Sequence, residues 1–228
     1  MKDRFGRNID YLRISLTDRC NLRCVYCMPE AGVETREHNE ILSFEEIVRV
    51  VEVAARCGIK HLRFTGGEPL AQPQFLFETM ELLKGRVHIA VETSAHAPAE
   101  TFRRAAELAD LVLIDCKSCD PEVHRKFTGA GNARILENLK YLCRSGTEFV
   151  ARVPLIPSVN DTRENMSALS EILRGAKNLG RVELLRYNKI AGAKYYMLGK
   201  TYSPGFDTGK TPEIWDEFTK NAIPFIVL

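Results

Sequence analysis

The chain has 228 residues, of which 45% are hydrophobic and 27% charged, the balance of an ordinary soluble globular protein. A net charge of +2 supplies no large basic field, so there is no electrostatic case for binding nucleic acid. No apolar run approaches the roughly 20 residues that span a bilayer, and seven cysteines behind a charged, leaderless N-terminus point to a reducing, cytoplasmic setting.

Tyr11 to Leu16 alternates as a strand and delivers the chain to Thr17-Asp-Arg-Cys-Asn-Leu-Arg-Cys-Val-Tyr-Cys-Met-Pro29. Ser43 and Glu46 form a capping box that opens a helix through about Arg56, and Gly58 ends it. Ile59 to Phe64 reads as a second strand and runs into Thr65-Gly-Gly-Glu-Pro69. A helix from about Pro73 to Lys84, a strand from Val87 to Glu92, a helix near Ala99 to Leu108 and a strand from Asp110 to Ile114 follow. Then come a helix over Asn132 to Arg144, a strand over Phe149 to Leu155, a helix capped by Asp161 and reaching about Leu173, and a sixth strand over Arg181 to Leu185. Strands alternating with helices of this length predict a parallel α/β sheet with right-handed crossovers. Six units are too few for the closed eight-unit barrel, so the expected fold is a partial, open (β/α)6 barrel of TIM type. No linker or low-complexity stretch divides residues 1–228, which are expected to form a single domain.

In such barrels the chemistry sits at the C-terminal ends of the strands. The cysteine loop follows strand 1, Thr65 to Pro69 follows strand 2, and Glu92-Thr-Ser94 follows strand 3. Asp115 and Lys117 follow strand 4, Arg152 lies within strand 5, and Asn188 follows strand 6. Cys20, Cys24 and Cys27 have C-x3-C-x2-C spacing, open to three readings. Buried free thiols fit poorly with the flanking Asp18, Arg19, Asn21 and Arg23. Zinc favours paired CxxC units or a Cys/His quartet, and no matching fourth ligand follows. A [4Fe–4S] cluster held by three thiolates would keep one iron open, and an open position distinguishes a reactive metal site from a structural one.

Together these residues resemble the radical S-adenosylmethionine (SAM) superfamily, whose signature is this cysteine loop and a Gly-Gly-Glu turn after strand 2, here Gly66-Gly67-Glu68. The resemblance implies that SAM chelates the open iron and that a reductant such as flavodoxin or ferredoxin triggers its cleavage to a 5′-deoxyadenosyl radical. Thr65, Gly66 and Gly67 would let the backbone approach SAM, Glu68 would accept from its ammonium, and Tyr26 would offer an aromatic face to the adenine.

Two subfamilies are visible. Phe5 to Cys20, Tyr26 to Pro29 and Ile41 to Ile47, about the first third, look like the GTP 3′,8-cyclase of molybdenum-cofactor synthesis. That cyclase carries a second three-cysteine cluster and a Gly-Gly tail, whereas no cysteine follows Cys143 here and the chain ends Phe225-Ile-Val-Leu228. From about residue 87 the chain resembles activases of glycyl radical enzymes, of the pyruvate formate-lyase type. The segments are Asp110 to Lys117, His124 to Gly129, Asn132 to Asn138, Arg152 to Pro157 with Asn160-Asp161, Glu183 to Asn188 and Lys194 to Gly199. The later likeness makes an activase the expected function: hydrogen abstraction from a glycine of a partner glycyl radical enzyme, by a monomer. A nucleotide-acting radical SAM enzyme is the alternative, and a non-catalytic iron–sulfur protein the third reading.

By the same resemblance, Lys117 and Arg152 would contact the SAM carboxylate and ribose. Glu92, Thr93 and Asp115 would help bind a monovalent cation, and Asn188 stands where activases carry a His that touches SAM. Cys116 and Cys119 form a CxxC that, with Cys57 or Cys143, either holds a second cluster or is structural; the structural reading is the expectation. His124 is expected on a helix surface, and Lys194-Tyr-Tyr196 either faces a partner or packs as a loop.

Overall fold

The structure is a computed structural model that describes residues 2–32, 40–188, 192, 195–196 and 198–228. Lys194 and Met197 of the expected activase segment lie outside the described residues.

Seven strands form one parallel sheet in strict chain order: β1 (Tyr11–Thr17), β2 (His61–Gly66), β3 (His88–Thr93), β4 (Leu111–Asp115), β5 (Glu148–Leu155), β6 (Leu179–Arg186) and β7 (Phe225–Val227). The end strands β1 and β7 do not pair with each other, so the barrel is open as expected. The helices α1 (Phe44–Arg56), α2 (Pro73–Leu83), α3 (Ala99–Leu108), α4 (Pro121–Thr128), α5 (Ala133–Leu142) and α6 (Arg163–Leu173) connect the strands.

Strand alternation divides the sheet into two chemically different faces. One row contains Leu62, Phe64, Ile89, Val91, Val112, Ile114, Phe149, Ala151, Val153, Val182 and Leu184, all packed in one buried core with Val51 and Ile47 of α1, Leu76 and Met80 of α2, and Leu169 of α6. The opposite row is largely charged. Register pairs Arg13 with Arg63, Ser15 with Thr65, Asp115 with Arg152, and Arg152 in turn with Glu183 across neighbouring strands. A closed barrel fills its interior with branched apolar side chains. This open one lines its interior with ionic groups, which puts the driving force for folding on the helix side and leaves the lumen for binding.

Local sequence explains most boundaries. The Ser43 side chain accepts from Glu46 N and the Glu46 carboxylate accepts from Ser43 N, the predicted reciprocal box. Two predicted details change. The N-cap of α6 is Thr162, whose hydroxyl accepts from Asn165 N, while the Asp161 carboxylate accepts from Glu213 N of a later loop. Helix α4, expected only as a surface helix carrying His124 and without bounds, runs over Pro121–Thr128: Asp120 caps it twice and Gly129, at φ 79°, ends it. The short β7 escaped, because three residues carry too little periodicity to register.

Asn160 pins the end of β5 beside the lumen. Its amide donates to the carbonyls of Lys117 and Pro154 and accepts from Ile156 N, with only 3% of its surface exposed. Asn160→Ala is expected to leave those backbone groups unpaired and to cost about 2–3 kcal/mol, read by urea denaturation; an unchanged midpoint would show that the loop rearranges freely.

Candidate functional site

The C-terminal strand ends enclose a cavity of about 930 Å³. Cys20, Cys24 and Cys27 line it together with Tyr26, Thr65, Gly66, Gly67, Glu68, Glu92, Thr93, Asp115 and Lys117, so the sequence-predicted residues of four strand ends converge.

The cysteine loop is held on two sides. Towards β2, Thr17 O accepts from Gly67 N and Arg19 O from Glu68 N at 2.7 and 2.8 Å. The approach is so close that a Cβ on Gly67 would overlap the Arg19 carbonyl, and one on Gly66 (φ 132°) the Thr17 carbonyl. The two glycines are therefore required by the contact between the β1 and β2 loops. Towards α4, Arg23 N donates to Thr128 O and Val25 N to Phe127 O. Carbonyls in the last turn of a helix have no intrahelical partner, and here the cysteine loop supplies the donors. The Arg23 guanidinium closes the loop by donating to the carbonyls of Cys20, Leu22 and Glu30. From the β6–β7 connection, Tyr195 Oη reaches the carbonyls of Val25 and Met28 at 2.9 and 2.8 Å. Tyr195 thus packs against the site as a loop residue, while Tyr196 stands 73% exposed. The sequence carried no signal for Tyr195 because the contact spans about 170 residues.

Several predicted roles change with the geometry. Glu68 is 1% exposed, and its carboxylate accepts from Leu70 N, Thr93 Oγ1, Ser94 N and Ser94 Oγ. A carboxylate has about four acceptor sites, so none is left for a ligand ammonium. Glu68 is the tie between the β2 turn and the end of β3, and Ser94, unremarked in the sequence, is half of that tie. Glu92, Thr93 and Asp115, expected at a cation site, all line the cavity, and each is engaged by protein groups. Glu92 meets Arg152 at 2.9 Å, Arg63 at 3.3 Å and Arg13 at 3.8 Å, and three guanidiniums repel a cation. The Thr93 hydroxyl is turned to Glu68, and Asp115 meets Lys117 at 3.0 Å. Arg152 sits beneath the cavity floor between Glu92, Asp115 and Glu183 and orders those carboxylates. Asn188 follows β6, is exposed, and is not among the cavity-lining residues.

Burial disfavours charge on Lys117 and Arg152, but the neighbouring carboxylates, led by Asp115 in each case, more than offset it and hold both cationic. Burial also raises the Cys20 thiol and pushes Cys24 up to about 11, against the pull of Lys117. Metal binding would have to displace those protons, which makes loading of the site pH-dependent.

Three thiols lining one cavity fit a cluster held by three thiolates. Among the described residues no three His, Cys, Asp or Glu side chains converge on one ion. A cubane accepts thiolates on different irons and needs no such convergence. The remaining cysteines are not among the cavity-lining residues. Cys116 is buried in the core with Cys119 and Cys143 packed nearby, and burial raises all three thiols, the latter two to about 11. Cys57 is exposed at the end of α1. His124 corrects an expectation: it is 1% exposed, not on a surface.

Comparison with known proteins places this geometry. The description of the Radical SAM superfamily matches residues 14–169. The GTP 3′,8-cyclase of Thermodesulfovibrio yellowstonii is 63% identical over 176 residues, covering 74% of this chain and 54% of that protein. The GTP 3′,8-cyclase of Peptoclostridium acidaminophilum is 33% identical over 219 residues, 93% of this chain and 66% of its own length. The cyclase likeness therefore extends well beyond the first third. The chain spans about half the length of the first curated relatives it matches. Among solved structures, a domain of pyruvate-formate lyase-activating enzyme from Bacteroides vulgatus aligns with TM-score 0.58 and 25% identity, over 74% of this chain and 99% of that one.

Because Gln at position 68 would turn an amide donor towards Leu70 N–H, Thr93 or Ser94, Glu68→Gln is expected to lower the stability of the metal-free chain by roughly 2–4 kcal/mol. Thermal unfolding before any cofactor is added checks this. An unchanged midpoint with weakened SAM binding would return Glu68 to a ligand-binding role.

Proposed function

The chain belongs to the Radical SAM superfamily, an enzyme family that uses a [4Fe–4S] cluster and SAM, and on that premise we propose that it acts on a nucleotide in the manner of a GTP 3′,8-cyclase. Cys20, Cys24 and Cys27 would hold the cluster. Thr65, Gly66 and Gly67 would shape the SAM-facing wall, with Tyr26 and Lys117 lining the same cavity. When bound, the cluster and SAM supply a 5′-deoxyadenosyl radical; the protein positions the ligands and keeps water away.

The observation that carries the nucleotide reading is the group of guanidiniums that β1, β2 and β5 bring around Glu92. Three guanidiniums, Arg13, Arg63 and Arg152, share the carboxylate Glu92. Arg13 lines the cavity and is the most exposed of the three, with Arg63 next in the row. Arg63 Nε is buried without a hydrogen-bond partner. Guanidinium groups grouped this way favour a polyanion such as a triphosphate. Sequence likeness to the cyclases across most of the chain supports the same reading. A second reading, activation of a glycyl radical enzyme, rests on the likeness to the activating-enzyme domain.

The anaerobically reconstituted chain is expected to form 5′-deoxyadenosine when reduced with SAM, and Cys24→Ser to lose the cluster's visible absorbance. It is further expected to bind GTP, with Arg63→Ala weakening binding about tenfold or more, in line with the loss of one charged hydrogen-bonding partner. Isothermal titration measures the affinity. No GTP binding, together with a glycyl doublet in the paramagnetic resonance spectrum of an added glycyl radical enzyme, would replace the nucleotide reading by the second.

A further inference from the structure

Next to the main cavity, with Tyr26 and Lys117 lining both, lies a small space of about 10 Å³ between α4 and the ends of β4 and β5. Tyr26, Lys117, His124 and Asn160 are its polar neighbours, with Ser118 and Thr128 at its margin. The last two and Asn160 are occupied. Ser118 Oγ donates to Asp120 O, Thr128 Oγ1 to His124 O, and the Asn160 amide to two carbonyls. Tyr26 Oη and His124 Nε2 are buried with no hydrogen-bond partner. Lys117 Nζ is bonded to Asp115 and has three N–H groups to place.

The tautomer of His124 follows from its other nitrogen. Nδ1 lies 2.7 Å from Ala130 O, and a carbonyl can only accept, so Nδ1 carries the proton. The ring is neutral in its buried setting, because burial lowers its proton affinity. Nε2 is therefore an acceptor that needs a donor. An unpaired buried acceptor costs about 1–3 kcal/mol, which makes an unfilled space here unfavourable. One water needs a volume of roughly 10–15 Å³ and two to four polar partners, and the space offers both.

We propose that a single buried water donates to His124 Nε2 and to Tyr26 Oη, accepts from Lys117 Nζ, and so turns the Tyr26 hydroxyl proton towards the Cys24 sulfur. The Tyr26 hydroxyl lies beside that sulfur without a well-aligned hydrogen bond to it. With its lone pair taken by the water, the hydroxyl has only its proton to offer, and the thiolate is the acceptor within reach. Tyr26 would then serve the cluster with its hydroxyl and the ligand with its ring. His124 acts through the water as a positioning residue, and α4 contributes to the electronics of the site as well as to its shape. A hydrogen bond to a cluster sulfur stabilises the reduced, more negative state and raises the reduction potential.

The inference rests on the cluster assignment and is independent of the substrate. The anaerobically loaded chain, with iron content and absorbance verified, is titrated potentiometrically and followed by paramagnetic resonance. Tyr26→Phe is expected to lower the reduction equilibrium constant about tenfold, some 59 mV for a one-electron couple. His124→Leu is expected to lower it in the same direction, and the double variant no further than Tyr26→Phe alone. Electron–nuclear double resonance of the reduced wild type after exchange into D2O is expected to show an exchangeable proton coupled to the cluster, lost in Tyr26→Phe. A fully loaded Tyr26→Phe chain with unchanged potential, additive shifts in the double variant, or no exchangeable coupling in the wild type would each overturn the proposal. Failure of the wild type to load iron would instead refute the cluster assignment.

Discussion

Everything at the mouth of this barrel depends on one buried carboxylate. Glu68 joins the Gly66–Gly67 turn to the end of β3 through Leu70, Thr93 and Ser94, and its own N–H is bonded to Arg19 in the cysteine loop. The three strand ends that carry the cysteines, the glycines and the Thr-Ser pair therefore share one node. Burying a carboxylate without a cation is unfavourable unless its oxygens are saturated by donors, and four donors meet that condition here. The backbone bonds from Gly67 N to Thr17 O and from Glu68 N to Arg19 O fix the distance at which the β1 and β2 loops approach, and this distance excludes any side chain at Gly66 or Gly67.

A second consequence is the division of labour between the faces of the sheet. Apolar side chains on the helix side supply the burial that stabilises the fold, at about 1.5–3 kcal/mol for each large residue fully removed from water. Lumen residues are then free to be ionic. Their charges are not isolated: Arg13, Arg63, Glu92, Arg152, Asp115, Lys117 and Glu183 form one chain of ion pairs. Such a network holds each member in one orientation through its neighbours. A ligand entering above it meets a prearranged field rather than mobile side chains, which lowers the ordering cost of binding.

The legible part of this protein was its local chemistry. The alternation of strands and helices, the capping box at Ser43 and the convergence of Cys20, Cys24, Cys27, Gly66, Gly67 and Lys117 all follow from short-range patterns. What the sequence hid was partnership. Glu68 in a Gly-Gly-Glu turn reads as a free acceptor until the Thr93 and Ser94 hydroxyls are folded onto it. Glu92 reads as a cation ligand until three arginines from β1, β2 and β5 arrive. His124 on a short charged helix reads as surface, yet the cysteine loop docks on the end of that helix and covers it.

That docking explains why so short a helix belongs to the site. Helix α4 is only eight residues long, and so short a helix is marginal in isolation. Its last carbonyls need donors, and the loop between Cys20 and Cys27 has backbone N–H groups without a strand or helix to pair them. Each segment completes the other, through Arg23 N to Thr128 O and Val25 N to Phe127 O. The cysteine loop is thus ordered by a helix about 100 residues further along the chain, and Gly129 is required where Arg23 packs across the helix end, with its Cβ 3.3 Å from the position a side chain there would take. Order in the loop and order in α4 are one equilibrium, so a change at the helix end reaches the cysteines without touching any of them.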